Sequence, residues 1–261
     1  MIWVMAGTRE GRQIAGCLEQ EGWRVLTSSV TEYGQFLLQE NVRGETLSGP
    51  LNETSMIEII RRHGTCLVID ATHPFAVKAT ENISRACQSE GIPYVRFERE
   101  SLYRESSDDA FDHVTWADDA VDAARRAKRY GDGIFLTTGS RTLEIFAREL
   151  GPEKLIVRVL PVVESLQACQ RAGIHPDRIL ALQGPFSIAL NRELLHHYGA
   201  RVLVTKESGR VGGFPEKLDA ARDLGLPVIA IRRPKSPVQG VFSRVDELVN
   251  SVSALISTSS R

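Results

Sequence analysis

The chain has 261 residues, which at roughly 150 residues per domain allows two small domains or one large α/β unit. Its 32 Lys and Arg against 33 Asp and Glu leave a formal charge of −1, which excludes a global field drawing the chain to nucleic acid or to an anionic membrane, so any anion site has to be local. With 42% hydrophobic and 25% charged residues, 21 Gly and 11 Pro, the composition is that of a folded globular protein and excludes disordered and fibrous classes.

Cys17, Cys66, Cys87 and Cys169 lie far apart, with no CxxC and no His at ligand spacing. Neither a metal site nor a disulfide framework is expected, and each reads as a small core residue. Residues 1–7 carry no basic region before a long apolar run and read as a strand, not as a signal peptide. No run approaches about 18 apolar residues, so no transmembrane span is expected and a cytoplasmic location follows.

Short runs rich in Val, Ile and Leu alternate with segments of helical period, the pattern of parallel sheets flanked by helices. The first strand covers residues 2–6, followed by Gly7 and a helix packing through Ile14, Ala15, Gly16 and Leu18. A strand at 23–27, a helix around Met56, Ile57, Ile59 and Ile60, a strand at 66–70, a helix at 77–90 and a strand at 94–97 complete a first Rossmann-like domain, residues 1–97. Residues 98–112 are charged and break the rhythm, and read as an interdomain crossing, with a surface insertion as the alternative. Residues 113–261 form a second Rossmann-like domain, with helices at 117–129, 141–150, 163–172, 187–198, 215–224 and 245–256. Its strands are expected at 134–137, 155–160, 179–182, 202–205 and 228–231, and residues 257–261 as a frayed tail. The fold class is α/β, two Rossmann-like domains with mainly parallel sheets, and a cleft between them is the expected ligand site.

In such sheets ligands bind beyond the carboxyl ends of the strands. The first end, Gly7-Thr8-Arg9-Glu10-Gly11-Arg12, resembles a dinucleotide-binding turn without its middle glycine. It offers a tight turn, close helix approach and helix N–H groups to a phosphate, although an ordinary strand-to-helix turn has the same composition. The second strand ends in Thr27, Ser28 and Ser29, where an NAD site about 20 residues after the first glycine carries Asp or Glu. Small hydroxyls there favour NADP, and also suit a simple turn. His73, between Thr72 and Pro74, is either structural or functional at this edge, and Asp70 reads equally as a helix cap. Residues 205–217, from Thr205 and Lys206 to Lys217, combine three glycines with cations before a helix and suit an anionic ligand.

The ordered set at residues 7–12, 70–76, 137–140, 183–186, 205–217 and 231–234 resembles the precorrin-6A reductase family. The resemblance implies an NADPH-dependent oxidoreductase of cobalamin biosynthesis. It reduces one carbon–carbon double bond of precorrin-6A, or of its cobalt form, to give precorrin-6B, with no metal of its own. On that footing Gly7, Thr8, Arg9, Glu10, Gly11 and Arg12 are expected at the cofactor phosphates, and Ser28 and Ser29 at its 2′-phosphate. Thr72, His73, Thr138 and Gly139 are expected toward the nicotinamide, with His73 as proton donor. Lys206, Ser208, Gly209, Arg210, Lys217 and Arg232 are expected at substrate carboxylates. The expected partner is this tetrapyrrole, with neighbouring pathway enzymes in transient contact, and neither nucleic acid nor membrane. Another NADP-dependent oxidoreductase of an anionic substrate, a nucleotide-binding regulatory protein without chemistry and a glycosyltransferase-like protein are the competing readings.

Overall fold

A computed structural model of the chain describes residues 1–99, 101, 113–234 and 241–258. The chain divides into two compact units, one formed by Met1–Glu100 with Pro234–Arg261, the other by Ser101–Arg233.

In chain order the first unit contributes β1 (Ile2–Met5), α1 (Arg9–Gln20), β2 (Val25–Ser29), α2 (Glu32–Asn41), β3 (Glu45–Ser48), α3 (Glu53–His63), β4 (Leu67–Asp70), α4 (Val77–Glu90) and β5 (Tyr94–Phe97). The second contributes β6 (Val114–Ala117), α5 (Ala120–Ala127), β7 (Ile134–Leu136), α6 (Leu143–Leu150), β8 (Leu155–Val159), α7 (Val163–Arg171) and β9 (Ile179–Ala181). It continues with α8 (Ile188–His197), β10 (Val202–Lys206), α9 (Phe214–Asp223) and β11 (Val228–Ile231), after which β12 (Val241–Phe242) and α10 (Val245–Thr258) return to the first unit.

The first sheet has the order β12-β5-β4-β1-β2-β3 and every pairing is parallel. Its central strand β1 is wholly buried because helices cover both faces. Ile2 and Val4 pack with Ile14, Leu18 and Leu67 on one face, and Trp3 and Met5 with Met56, Ile60 and Ile83 on the other. Ile14, Ala15 and Leu18 are buried as the helical period predicts, while Gly16 is only half-buried and Gly11 takes its place in the contact. The second sheet has the order β6-β11-β10-β7-β8-β9, again parallel throughout. Both sheets therefore reverse strand order beside the strand that opens the run: between β1 and β4 in one, and between β7 and β10 in the other.

The expected second domain of residues 113–261 is corrected at its C-terminal end. β12 pairs with β5, and Leu248, Val249 and Val252 of α10 join the core of Ile2, Leu18, Val95 and Phe97. The apolar face of α10 completes the first core, each such side chain contributing about 1.5–3 kcal/mol by burial. The sequence reading also lacks α2, β3, β6 and β12. α2 buries only Leu38, and β3 is an exposed edge reading Glu-Thr-Leu-Ser, so neither carries an apolar period. Residues 117–119, expected as helix, are the end of β6 and the Asp119 cap of α5. Of the crossing expected at 98–112, residues 100 and 102–112 lie outside the described residues, as do 259–261 of the expected frayed tail. Among the described residues no helix is long and apolar enough to cross a membrane.

Candidate active site

At the reversal point of the first sheet the chain leaves β1 through Gly7 and enters α1 behind Thr8, whose Oγ1 accepts from the Gly11 amide at 3.1 Å. The same hydroxyl donates to the Ala71 carbonyl beyond β4 at 2.9 Å, tying the two diverging strand ends together. A Cβ on Gly11 would lie 2.7 Å from Ala6 Cα, so only glycine lets α1 approach β1 this closely. Thr8, Glu10, Thr72, Pro74, Phe97, Glu98 and Arg99 line a small pocket here. Glu10 faces Arg99 Nε at 3.3 Å, and Arg9 is exposed. Burial holds the Arg12 guanidinium below its usual range, Tyr33 and Glu10 pull it back up, and Arg9 adds like charge.

Behind this pocket Asp70 is fully buried and is no helix cap: the N-cap of α4 is Ala76, with no side-chain cap. Asp70 Oδ1 accepts from the Thr72 amide at 2.9 Å. Its Oδ2 accepts from Thr80 Oγ1 at 2.9 Å and Tyr94 Oη at 3.0 Å, and lies 2.6 Å from Arg96 Nη1. Burial, then the Asp70 charge, push the Tyr94 phenol far up. Arg96, itself buried, also donates to Thr72 Oγ1 at 2.8 Å and to the Thr72 carbonyl at 3.3 Å, so Thr72 is fixed through backbone and side chain alike. His73 follows, its Nδ1 accepting from the Phe75 amide at 3.3 Å and its ring 5.7 Å from that of Phe75. With Nδ1 an acceptor, the neutral imidazole carries its proton on Nε2.

The serines that end β2 are differently placed. Ser28 Oγ accepts from Trp3 Nε1 at 2.9 Å in the core below the sheet, whereas Ser29 Oγ donates to the Thr31 carbonyl at 3.2 Å beside the start of α2. Only Ser29 therefore belongs to the turn at the strand end.

In the second unit Thr138 and Gly139 follow β7, and the buried Thr138 Oγ1 accepts from Thr142 at 3.2 Å. β10 ends in Lys206, and the loop after it carries Ser208, Gly209 and the exposed Arg210. Ser208 Oγ donates to the Gly212 carbonyl at 3.1 Å, and Gly213, left-handed at φ 66°, opens α9 without a side-chain cap. Lys206 is pushed down to about 8 by burial and by Arg141. Lys217 is 7% exposed, and burial, then Arg158, push it down to about 7 against the opposing charge of Glu216. Arg158 of β8, pushed down to about 10 by burial, donates to Asn191 Oδ1 at 2.8 Å and stands 4.7 Å over the Phe186 ring.

Two cations of this region have acidic partners. The β11–β6 register sets Ile231 beside Ala117, so Arg232 meets Asp118 at 2.7 Å and lies 6.0 Å from the Trp116 ring. Arg233 pairs with the fully buried Glu207, which also accepts from Ser101 Oγ at 3.2 Å. Sequence reasoning missed Arg96, Arg158 and the Glu207–Arg233 pair. The available signal for Arg96 and Arg158 was an arginine inside an otherwise apolar strand, which has to find buried partners.

Fold and strand-end geometry together define a two-unit Rossmann-like α/β protein with a glycine-dependent helix turn on one sheet and a cation-rich loop on the other. Residues 1–253 match the family described as Precorrin-6x reductase CbiJ/CobK. The chain belongs to that family. It is 38% identical to the cobalt-precorrin-6A reductase of Methanothermobacter thermautotrophicus, over 96% of this chain and 83% of that one. It is 36% identical to the cobalt-precorrin-6A reductase of Priestia megaterium, over 97% and 98%. A solved structure of CobK precorrin-6A reductase superposes with a TM-score of 0.78 at 25% identity, over 97% of this chain and 96% of that one.

Proposed function

We propose that the protein reduces one carbon–carbon double bond of the precorrin-6A macrocycle, or of its cobalt form, to give precorrin-6B in the cytoplasm, with NADPH as reductant. The observation that carries this reading is the Thr8–Gly11–Ala71 junction at the reversal point of the first sheet, in a chain of the reductase family. The missing Cβ of Gly11 and the amide-rich start of α1 fit a dinucleotide pyrophosphate. When bound, the nicotinamide supplies the hydride.

The chain's own residues do the rest. Gly7, Thr8, Gly11 and the first turn of α1 receive the phosphates, with Arg9 supplying charge. At the end of β2, Ser29 in place of a carboxylate and the half-buried Arg12 beside Tyr33 favour the 2′-phosphate form. Thr72, pinned by Asp70 and Arg96, gives the floor of the pocket a fixed position. His73 is the source of the proton that accompanies the hydride, given up by its imidazolium form, which returns to the neutral ring and is reprotonated from solvent. In the second unit, cations around the β10–α9 loop, Lys206 and Arg210 among them, take the acetate and propionate groups of the substrate.

Anaerobic incubation with NADPH and, in parallel, precorrin-6A and its cobalt form tests the reading. NADPH oxidation with appearance of the dihydro product supports it, and no oxidation with either substrate contradicts it. A His73→Gln variant with unchanged kcat removes His73 as donor.

A further inference from the structure

Lys217 and Arg158 present a charge problem inside the second unit. Among the described residues, Lys217 Nζ has one hydrogen-bond partner, Thr205 Oγ1 at a long 3.4 Å, although the side chain is more than nine-tenths buried. Arg158 is held by the neutral Asn191 and the face of Phe186, and no carboxylate pairs with it among the described residues. Glu216 acts on Lys217 through space without forming an ion pair, and its own Oε2 is buried without a partner. Two neighbouring cations with so few ligands, Lys217 buried and Arg158 half-buried, are unfavourable unless an anion completes the set.

The surroundings say what kind of anion fits. Asn191 Nδ2 donates to the Phe186 carbonyl at 3.1 Å while its Oδ1 holds Arg158, so the guanidinium plane is fixed. Gly213 opens α9 against Pro185, where a Cβ would come within 3.2 Å, so the 183–186 loop lies over the start of the helix that carries Lys217. A planar anion reaching these groups receives charge-assisted hydrogen bonds from a fixed guanidinium and from an ammonium, with an aromatic wall beside it.

We propose that Lys217 and Arg158 form a seat for one carboxylate side chain of the macrocycle, walled by Phe186, and that this seat selects the free acid. The identity of the ligand rests on the reductase reading above. The seat itself follows from the buried Lys217 and the half-buried Arg158 beside it. In this arrangement the carboxylate supplies the missing partner for Lys217, and substrate binding removes an unfavourable feature of the free protein.

The test uses the full chain with Lys217→Met and Arg158→Met, each checked by thermal unfolding, and Arg158→Lys as the conservative variant. Turnover is expected to show KM for precorrin-6A raised about tenfold or more in either Met variant, partial recovery in Arg158→Lys, and KM for NADPH unchanged. The second arm titrates the octacarboxylate uroporphyrin III by fluorescence, where the wild type is expected to bind and Lys217→Met to bind about tenfold more weakly. If turnover is absent but porphyrin binding still depends on Lys217, the seat stands and the reductase reading falls. Unchanged KM and unchanged porphyrin binding in folded Met variants, or no porphyrin binding by the wild type, overturn the seat.

Discussion

The Thr8 hydroxyl joins the two strand ends that diverge in the first sheet, donating to the Ala71 carbonyl at 2.9 Å while it accepts from the Gly11 amide. One side chain thus caps α1 and sets the width of the crevice in which a dinucleotide is expected. Thr8→Ala removes both roles, at about 1 kcal/mol for the cap alone, and Thr8→Ser is expected to restore most of it. Gly11→Val forces α1 away from Ala6 and is expected to lower stability by about 1–3 kcal/mol and to abolish NADPH binding. Urea unfolding and cofactor titration read both effects; a Gly11→Val protein that binds NADPH normally would refute this use of the turn.

Arg96→Met strands the Asp70 carboxylate in the core with Thr72, Thr80 and Tyr94 as its remaining ligands. Removing one partner of a buried pair costs about 3–5 kcal/mol. The double variant Asp70→Asn with Arg96→Met is expected to recover part of that loss, measured as denaturation midpoints. A loss under about 1 kcal/mol in the single variant would show that the pair is not buried in solution.

Lys217 makes stability depend on pH. In the folded chain its ammonium titrates at about 7, against 10.5 in the unfolded chain. Below about pH 7 both states carry the proton, and the burial penalty is present in full. Between about 7 and 10 the unfolded chain binds more protons, so stability rises with pH through that window. Arg158 on β8 lowers this group and Glu216 on α9 raises it, so both belong to the titration. Lys217→Met is expected to raise the pH 7 melting temperature, by about 2–4 °C for each kcal/mol recovered, and to flatten the slope. A melting temperature that falls, with the slope intact, would contradict a charged, buried Lys217.

On the proposed reading Arg12, half-buried and facing Tyr33, is the cation expected to distinguish the two nicotinamide cofactors. Arg12→Ala is expected to weaken NADPH about tenfold and leave NADH unchanged. Calorimetric titration with both cofactors reads the difference, and an equal loss for both would assign Arg12 to the pyrophosphate instead.

Most of the fold was legible because its central strands are continuous apolar runs. β1, β4, β5, β7, β10 and β11 were found within a residue or two, and α4 was found at Val77–Glu90. Elements with one exposed side or few residues left no such trace, as β3 and the two-residue β12 show. The placement of α10 on the first core was not legible, since an apolar helical face does not say which sheet it covers. Strand-end motifs marked where ligands are expected, but not which polar groups are already satisfied. The structure gives Ser28 and Arg232 partners in Trp3 and Asp118, which the sequence does not show. Arg158 showed in the sequence only as an arginine inside an apolar strand; that no carboxylate pairs with it among the described residues is visible only in the packing.

Isotope transfer tests the central claim most directly. NADPH deuterated at C4 on each face in turn is incubated anaerobically with the protein and precorrin-6A or its cobalt form, and the reduced macrocycle is analysed by mass spectrometry and NMR. Direct hydride transfer predicts deuterium at one macrocycle carbon from one of the two faces, with a solvent hydrogen on the neighbouring carbon. A reduced product carrying no deuterium from either face, or no reduced product at all, would contradict the account.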